Sequence, residues 1–171
     1  MDLFKKQDAL KPYFDTAYGC AVFGKVAKAG FGIGGAGGKG DVFILNKGDG
    51  ETKVGESKMM QLSFGLQFGG QVYSEIIFFE SEKDFQNFTH GNFEFSADAN
   101  VVGLTASASV KASTMGSHGL QAGLSSEAIA VDAAKTCEYS KGMAVFTIAL
   151  GGLMYQATIG GQKFTYDKIE A

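Results

Sequence analysis

The chain has 171 residues, 45% hydrophobic and 19% charged, which fits one globular domain with a packed core and excludes a disordered polymer. All 15 basic residues are lysine, the net charge is −3 and the pI is near 5.4, so nucleic-acid binding, which leans on guanidinium forks and basic surfaces, is not expected. Glycine is frequent, at 25 residues, and raises the question of whether its clusters wrap a phosphate or build a sheet.

The first stretch, MDLFKKQDALKPYF, has no apolar h-region and no cleavage site, so no signal peptide is expected. Leu3, Gln7, Leu10, Phe14 and Ala17 recur at helical spacing, with Phe4 and Tyr18 beside them and Lys5, Lys6 and Lys11 on the flanks. Pro12 divides this segment into two short helices and stands near the start of the second. Two readings are open for residues 2–18. The apolar side chains enter a membrane boundary while the lysines meet anionic phosphates, or the segment packs on the rest of the domain and its lysines merely solvate it.

Residues 29–40, AGFGIGGAGGKG, contain G-x-G-x-x-G at Gly32, Gly34 and Gly37. A dinucleotide fingerprint needs a helix after it, but the next residues are the short β run DVFIL and a turn. A P-loop ending at Lys39 needs glycine at position 33 and Ser or Thr at position 40, where Ile33 and Gly40 stand. No nucleotide cofactor is therefore expected. Ala29, Phe31 and Ile33 alternate with Gly30, Gly32 and Gly34, which is a strand with bulk on one face and bare backbone on the other. Bare backbone invites close approach of another chain segment. Gly34, Gly35, Gly37 and Gly38 suit a turn, so 28–45 is expected to be a hairpin.

The same grammar continues along the chain. SFGLQFGGQVYSEIIFFE (63–80) and MYQATIGGQKFTYDK (154–168) alternate large with small or polar residues, and Gly-Gly-Gln recurs at 69–71 and 160–162. Between them, SEKDFQNFTHG (81–91) predicts a helix with Ser81 as N-cap and Phe85 and Phe88 on its covered face. FEFSADANVVGLTASASVKAS (93–113) alternates with small side chains, and 114–141 reads as a long loop or holds a helix around 126–135. The longest apolar run, GMAVFTIALGGLM (142–154), is shorter than the roughly 20 residues that a spanning helix needs. The fold class expected is mainly β (α+β): a glycine-rich antiparallel sheet or barrel-like domain with an N-terminal helical segment and one short helix near 81–89. A single domain covers 1–171, with 1–18 as amphipathic segment and 19–171 as β-rich body.

Residues able to do chemistry are sparse. His90 ends the helix near 81–89, and His118 in MGSHGL lacks the glycine that a nucleophile elbow needs. Cys20 and Cys137 lack metal spacing and read as buried thiols or, alternatively, as a disulfide. Asp41, Glu75, Glu80, Asp98 and Glu138 are scattered. No enzyme activity, metal or cofactor is expected. Lys25, Lys28 and Lys39 read as a solvated rim, with a phosphate headgroup at Lys28 as the alternative. Phe64, Phe68, Phe78 and Phe79 read as core.

Taken together, YFDTAYGCAVF (13–23), KAGFGIGGAGGKG (28–40), LSFGLQFGGQVYSEIIFFE (62–80), FTHGNFEFSADA (88–99) and YSKGMAVFTIALGGLMYQATIGGQKFTY (139–166) resemble the SYLF-domain family, in its bacterial lipid-binding branch. Its eukaryotic members are endocytic proteins that bind actin and phosphoinositides. The sequence departs from the family pattern at Cys20, where an aromatic is usual, at Gly24, where proline is usual, and at Leu150, where lysine is common. The resemblance implies a non-catalytic domain of the bacterial cell envelope or periplasm, or otherwise of the cytoplasm, that meets anionic phospholipid or a membrane surface. The alternative is an interaction or scaffold protein without direct lipid binding. The expected lipid-contacting residues are Leu3, Phe4, Lys5, Lys6, Leu10, Lys11 and Phe14, joined by Lys25 and Lys28.

Overall fold

Period-two patterning sustained over long stretches produces very long strands. A computed structural model describes residues 1–47, 49–90, 92–96, 101–104, 113–114 and 139–169. In chain order the elements are helix α1 (Asp2–Lys5), a 3-10 turn (Asp8–Leu10) and helix α2 (Lys11–Thr16), then strands β1 (Gly19–Asn46) and β2 (Gly50–Phe79). Helix α3 (Glu82–Thr89) comes next, then β3 (Asn92–Ser96), β4 (Val101–Leu104), β5 (Ser113–Thr114) and β6 (Met143–Lys168). The expected helix around 126–135, His118 and Cys137 lie outside the described residues.

The described strands form one sheet in the order β1-β2-β6-β4-β5, with β3 also on β6. All pairings are antiparallel except that of β4 with β6. The sheet is thus mainly antiparallel β with an N-terminal helical segment, as the patterning predicts. Helix α3 starts where expected, with the Ser81 side chain accepting from the Asp84 N–H at 3.3 Å. Pro12 sits in the first turn of α2, where its missing N–H costs nothing.

The hairpin expected at 28–45 is not there. Residues 19–46 are one strand, paired with β2 along its length, and the turn comes at 47–49. Gly34, Gly35, Gly37 and Gly38 are not turn residues; the positive-φ glycines among the described residues are Gly50, Gly69 and Gly142. A straight strand of 28 residues would reach about 95 Å at 3.4 Å per residue. Instead the ribbon β1-β2-β6 bends. Its register slips between Phe31 and Ile33, where residues 65–67 of β2 stand opposite position 32, and again between Phe23 and Val26.

The bend lays the outer half of the ribbon (33–46, 50–64, 159–168) over its inner half (19–30, 69–79, 143–152). Phe164 of the outer half meets Phe23 of the inner half at 5.6 Å between ring centroids, and Val42 and Met59 share the same core. Helix α3 closes this interlayer core with Phe85 and Phe88. The other face of the inner half, with Cys20, Ile76, Phe78 and Phe146, is covered by Phe4, Leu10, Tyr13 and Ala17 of the N-terminal segment. Covered on both faces, the inner half loses polar alternation, which is why IIFF and MAVF read as continuous apolar runs.

Along the β1 edge the two halves converge on bare backbone. A Cβ added at Gly40 would lie 2.6 Å from the Val22 carbonyl oxygen, and one at Gly38 would lie 2.7 Å from that of Lys25. At Gly24 an added Cβ meets nothing within 4 Å. Gly40→Val is therefore expected to cost about 1–3 kcal/mol through overpacking, with Gly24→Ala close to neutral. Chemical denaturation of the pair checks this, and equal midpoints would remove the close approach.

Candidate functional site

Register across the bend and outer half brings together side chains far apart in sequence. Gly37 pairs with Met60 and Met60 with Lys163; Gly35 pairs with Leu62. Ile33, Met60 and Leu62 therefore share one face of the outer half, and that face points to solvent. Phe31 is 82% exposed, Met60 68%, Ile33 66% and Leu62 62%, whereas the large apolar side chains of the inner half are nearly all buried. Glycines 35 and 37 leave Leu62 and Met60 without a flanking side chain on β1. An apolar patch of this kind marks a contact surface rather than ordinary surface scatter.

Next to it on the same face stands a band of lysines. Lys39 pairs with Lys58, one row beyond Gly37 and Met60, and Lys163 lies in the Met60 row. One more row on, Asp41 pairs with Glu56 and Glu56 with Asp167. Rows on one face are about 7 Å apart. From the bend outward the face thus runs apolar, basic, acidic. Lys53 holds Asp41 at 2.7 Å and Glu56 at 3.0 Å, and Asp167 lies 4.0 Å from Lys58. A cleft lined by Val22, Gly24, Lys25, Lys39, Gly40, Asp41 and Glu56 opens at the β1 edge, so Lys25 and Lys39 meet there.

The N-terminal candidates are placed differently. Phe4 and Leu10 are core residues, Leu3 and Phe14 are half-buried against that core, and Phe14 sits on Phe78 at 4.9 Å. The stripe that looked membrane-facing is the stripe that docks on the sheet. Lys5 is tied to Glu51 at 2.6 Å and Lys11 to Asp8 at 2.7 Å, while Lys6 is exposed. Lys25 is exposed, but Lys28, expected on a solvated rim, is buried in the interlayer core.

Besides Lys28, Glu75 is a buried ionisable group, and it belongs to a polar cluster inside the bend. Glu75 is fully buried, and the Gln162 Nε2 donates to its Oε2 at 3.1 Å and to Gln61 Oε1 at 3.3 Å. Burial pushes the Glu75 carboxyl up to about 7, against the pull of the Gln162 hydrogen bond and the Lys28 charge. Burial likewise lowers Lys28, with the Glu75 charge opposing. Elsewhere Cys20 is a buried free thiol, pushed up to about 12 chiefly by burial, which suits packing and not nucleophilic chemistry. His90 contacts the Gln86 carbonyl at the end of α3.

Phe31 and Ile33 stand out in the sequence as the bulky face of a glycine strand. Their exposure, and their union with Met60, Leu62, Lys58 and Lys163, depends on register and on which half of the ribbon lies outside.

Two comparisons bear on this architecture. The family described as "Ysc84: Las17-binding protein actin regulator" matches residues 60–163, more than half of the chain. A curated relative, "Beta cell expansion factor A" from Aeromonas veronii, is 28% identical over 172 residues that take in 97% of this chain and 52% of the relative. The chain thus spans about half the length of that relative. The matched residues contain β2 from Met60 on, helix α3 and most of β6, and with them Gln61, Glu75 and Gln162, and the chain belongs to the Ysc84, or SYLF-domain, family.

Proposed function

We propose that the protein is a non-catalytic membrane-surface-binding domain of the cell envelope that presents the bend of its ribbon to anionic phospholipid. The observation that carries this is the order of side chains on the outer face: Phe31, Ile33, Met60 and Leu62 exposed at the bend, then Lys39, Lys58 and Lys163, then the acids. Apolar side chains entering the headgroup boundary place the lysine band at phosphate level and hold the acidic row away from the surface. Affinity then comes from buried apolar area plus charge, about 1 kcal/mol per lysine near the surface and less at high salt. This moves the contact from residues 2–18 to the bend and retains Lys25 beside it.

Co-sedimentation with vesicles tests the reading. Wild type is expected to bind phosphatidylglycerol vesicles in preference to phosphatidylcholine, more weakly as salt rises. Phe31→Asp with Ile33→Asp should weaken binding at least about tenfold, since each side chain loses much of a 1.5–3 kcal/mol burial. Lys5→Glu with Lys6→Glu should leave binding nearly unchanged. If the lysine pair abolishes binding and the bend pair does not, the N-terminal segment is the membrane element. The family's description names a protein partner, Las17. A protein-contact role for the same face is the outcome if no vesicle binds wild type.

A further inference from the structure

Period-two alternation sends the adjacent methionines Met59 and Met60 to opposite faces of β2. Met59 is 1% exposed and packs in the interlayer core with Phe164, its partner on β6. Met60 is 68% exposed and is the one exposed methionine among the described residues. Met143 is buried in the same core as Met59, and Met1 packs half-buried against the core under the N-terminal segment. Two thioethers one residue apart thus differ in whether solvent reaches them.

The cross-strand row of Met60 leaves its sulfur open. On β1 its partner is Gly37, where an added Cβ would meet only the Met59 carbonyl oxygen, at 3.6 Å, so no side chain flanks the thioether on that strand. On β6 its partner is Lys163. Leu62 stands in the next row towards the bend, and Lys39 and Lys58 in the next row away from it. A thioether is apolar and accepts hydrogen bonds weakly, whereas its sulfoxide is polar. The side chain at the junction of the apolar patch and the lysine band can therefore change character without any change in the fold. Cys20, a buried thiol that burial pushes up to about 12, does not compete for an oxidant.

We infer that Met60 is an oxidation site, bared by Gly37, at which a peroxide turns the contact face from apolar to polar and so releases the protein from an anionic membrane. The sulfur lone pair attacks one oxygen of hydrogen peroxide. The S–O bond forms as the O–O bond breaks, and the departing hydroxide takes the proton of the transferred oxygen and leaves as water. The thioether gives up two electrons and the peroxide takes them. A dithiol-dependent methionine sulfoxide reductase reverses the step: the dithiol becomes a disulfide and the oxygen leaves as water. The membrane arm rests on the reading of this face proposed above, whereas selective oxidation is a property of the lipid-free protein.

The test has two parts on the full chain. First, lipid-free protein is treated with limiting hydrogen peroxide and mapped by peptide mass spectrometry. Met60 should be oxidised at least about tenfold faster than Met59 and Met143. Gly37→Val should slow oxidation of Met60 about twofold or more, since side chains paired across strands stand about 5 Å apart. Met60 oxidised no faster than Met59, or at the wild-type rate in Gly37→Val, overturns the site. In the second part, wild type carrying the Met60 sulfoxide should bind phosphatidylglycerol vesicles at least about fivefold more weakly than untreated protein, because an apolar side chain is withdrawn from the boundary. Reductase with a dithiol should restore binding, and Met60→Leu should show no loss on the same peroxide treatment. Circular dichroism melts before and after treatment establish that the fold persists. Undiminished binding by oxidised wild type, or an equal loss in Met60→Leu, overturns the coupling to the membrane. If untreated wild type binds no vesicle, the membrane reading fails and the coupling with it, and the mass map alone upholds or overturns the oxidation site.

Discussion

Phe78→Ala is expected to lower the unfolding free energy by about 3–5 kcal/mol, the range for truncating a buried phenylalanine. Phe78 is fully buried at the seam between the inner half of the ribbon and the N-terminal segment. Its ring stacks on Tyr13 at 5.4 Å, meets Phe14 edge-on at 4.9 Å and lies 6.0 Å from Phe146. The loss therefore combines transfer, cavity and ring–ring contributions and also loosens α2. Against a domain stability of about 5–15 kcal/mol this is a large fraction. Phe31→Ala, on the same strand system but exposed, should change stability by about 0.5 kcal/mol or less. Urea denaturation of the two variants gives the comparison. A loss below about 1 kcal/mol for Phe78→Ala would mean that the N-terminal segment does not dock as described.

A second large effect is expected in the pH dependence of stability, taken as the difference between wild type and Glu75→Gln so that the remaining carboxylates cancel. Glu75 is raised from the ordinary 4.5 to about 7 in the folded protein, chiefly by burial. With the folded value above the unfolded one, the native state holds the proton more tightly. The contribution of Glu75 is then fully present below about pH 4.5 and is lost as the pH rises to about 7. At 1.36 kcal/mol per pH unit that interval amounts to roughly 3 kcal/mol. Wild type should lose this amount relative to Glu75→Gln between those pH values and nothing further above them. A difference that is flat from acid to neutral pH, or that grows in favour of wild type, would place the Glu75 carboxylate in contact with water.

Several elements are legible from local chemistry. Ser81 with Asp84, the phenylalanines at 85 and 88 and the histidine after Thr89 predict helix α3, because capping and helical periodicity act within a few residues. Pro12 predicts the break in the N-terminal segment for the same reason. The β class comes from period-two alternation, which holds whatever the partner strand is. The bare face at Gly30, Gly32 and Gly34 announces close approach, and in the structure Gly38 and Gly40, farther along β1, meet the backbone of Lys25 and Val22. Clusters of glycine, however, suggest a turn as readily as a bend, and position 34–38 is strand.

By itself the sequence determined the β class, the helix at 82–89, the broken N-terminal segment and the family, because each rests on short-range pattern or on motif likeness. Only the tertiary structure decided which apolar stripes are covered. An amphipathic segment such as 2–18 looks the same whether its partner is lipid or a sheet, and here Phe4 and Leu10 are taken up by the inner half of the ribbon. Phe31 and Ile33 stand on the bulky face of a glycine strand, which alternation alone leaves inside or outside; the structure puts them on the outside of the bend, joined by register to Met60, Leu62 and the lysines of β2 and β6. Lys28 looks like surface and is buried between the two halves of the ribbon. Burial is a relation between two surfaces, and register and layer stacking between distant strands choose the second surface.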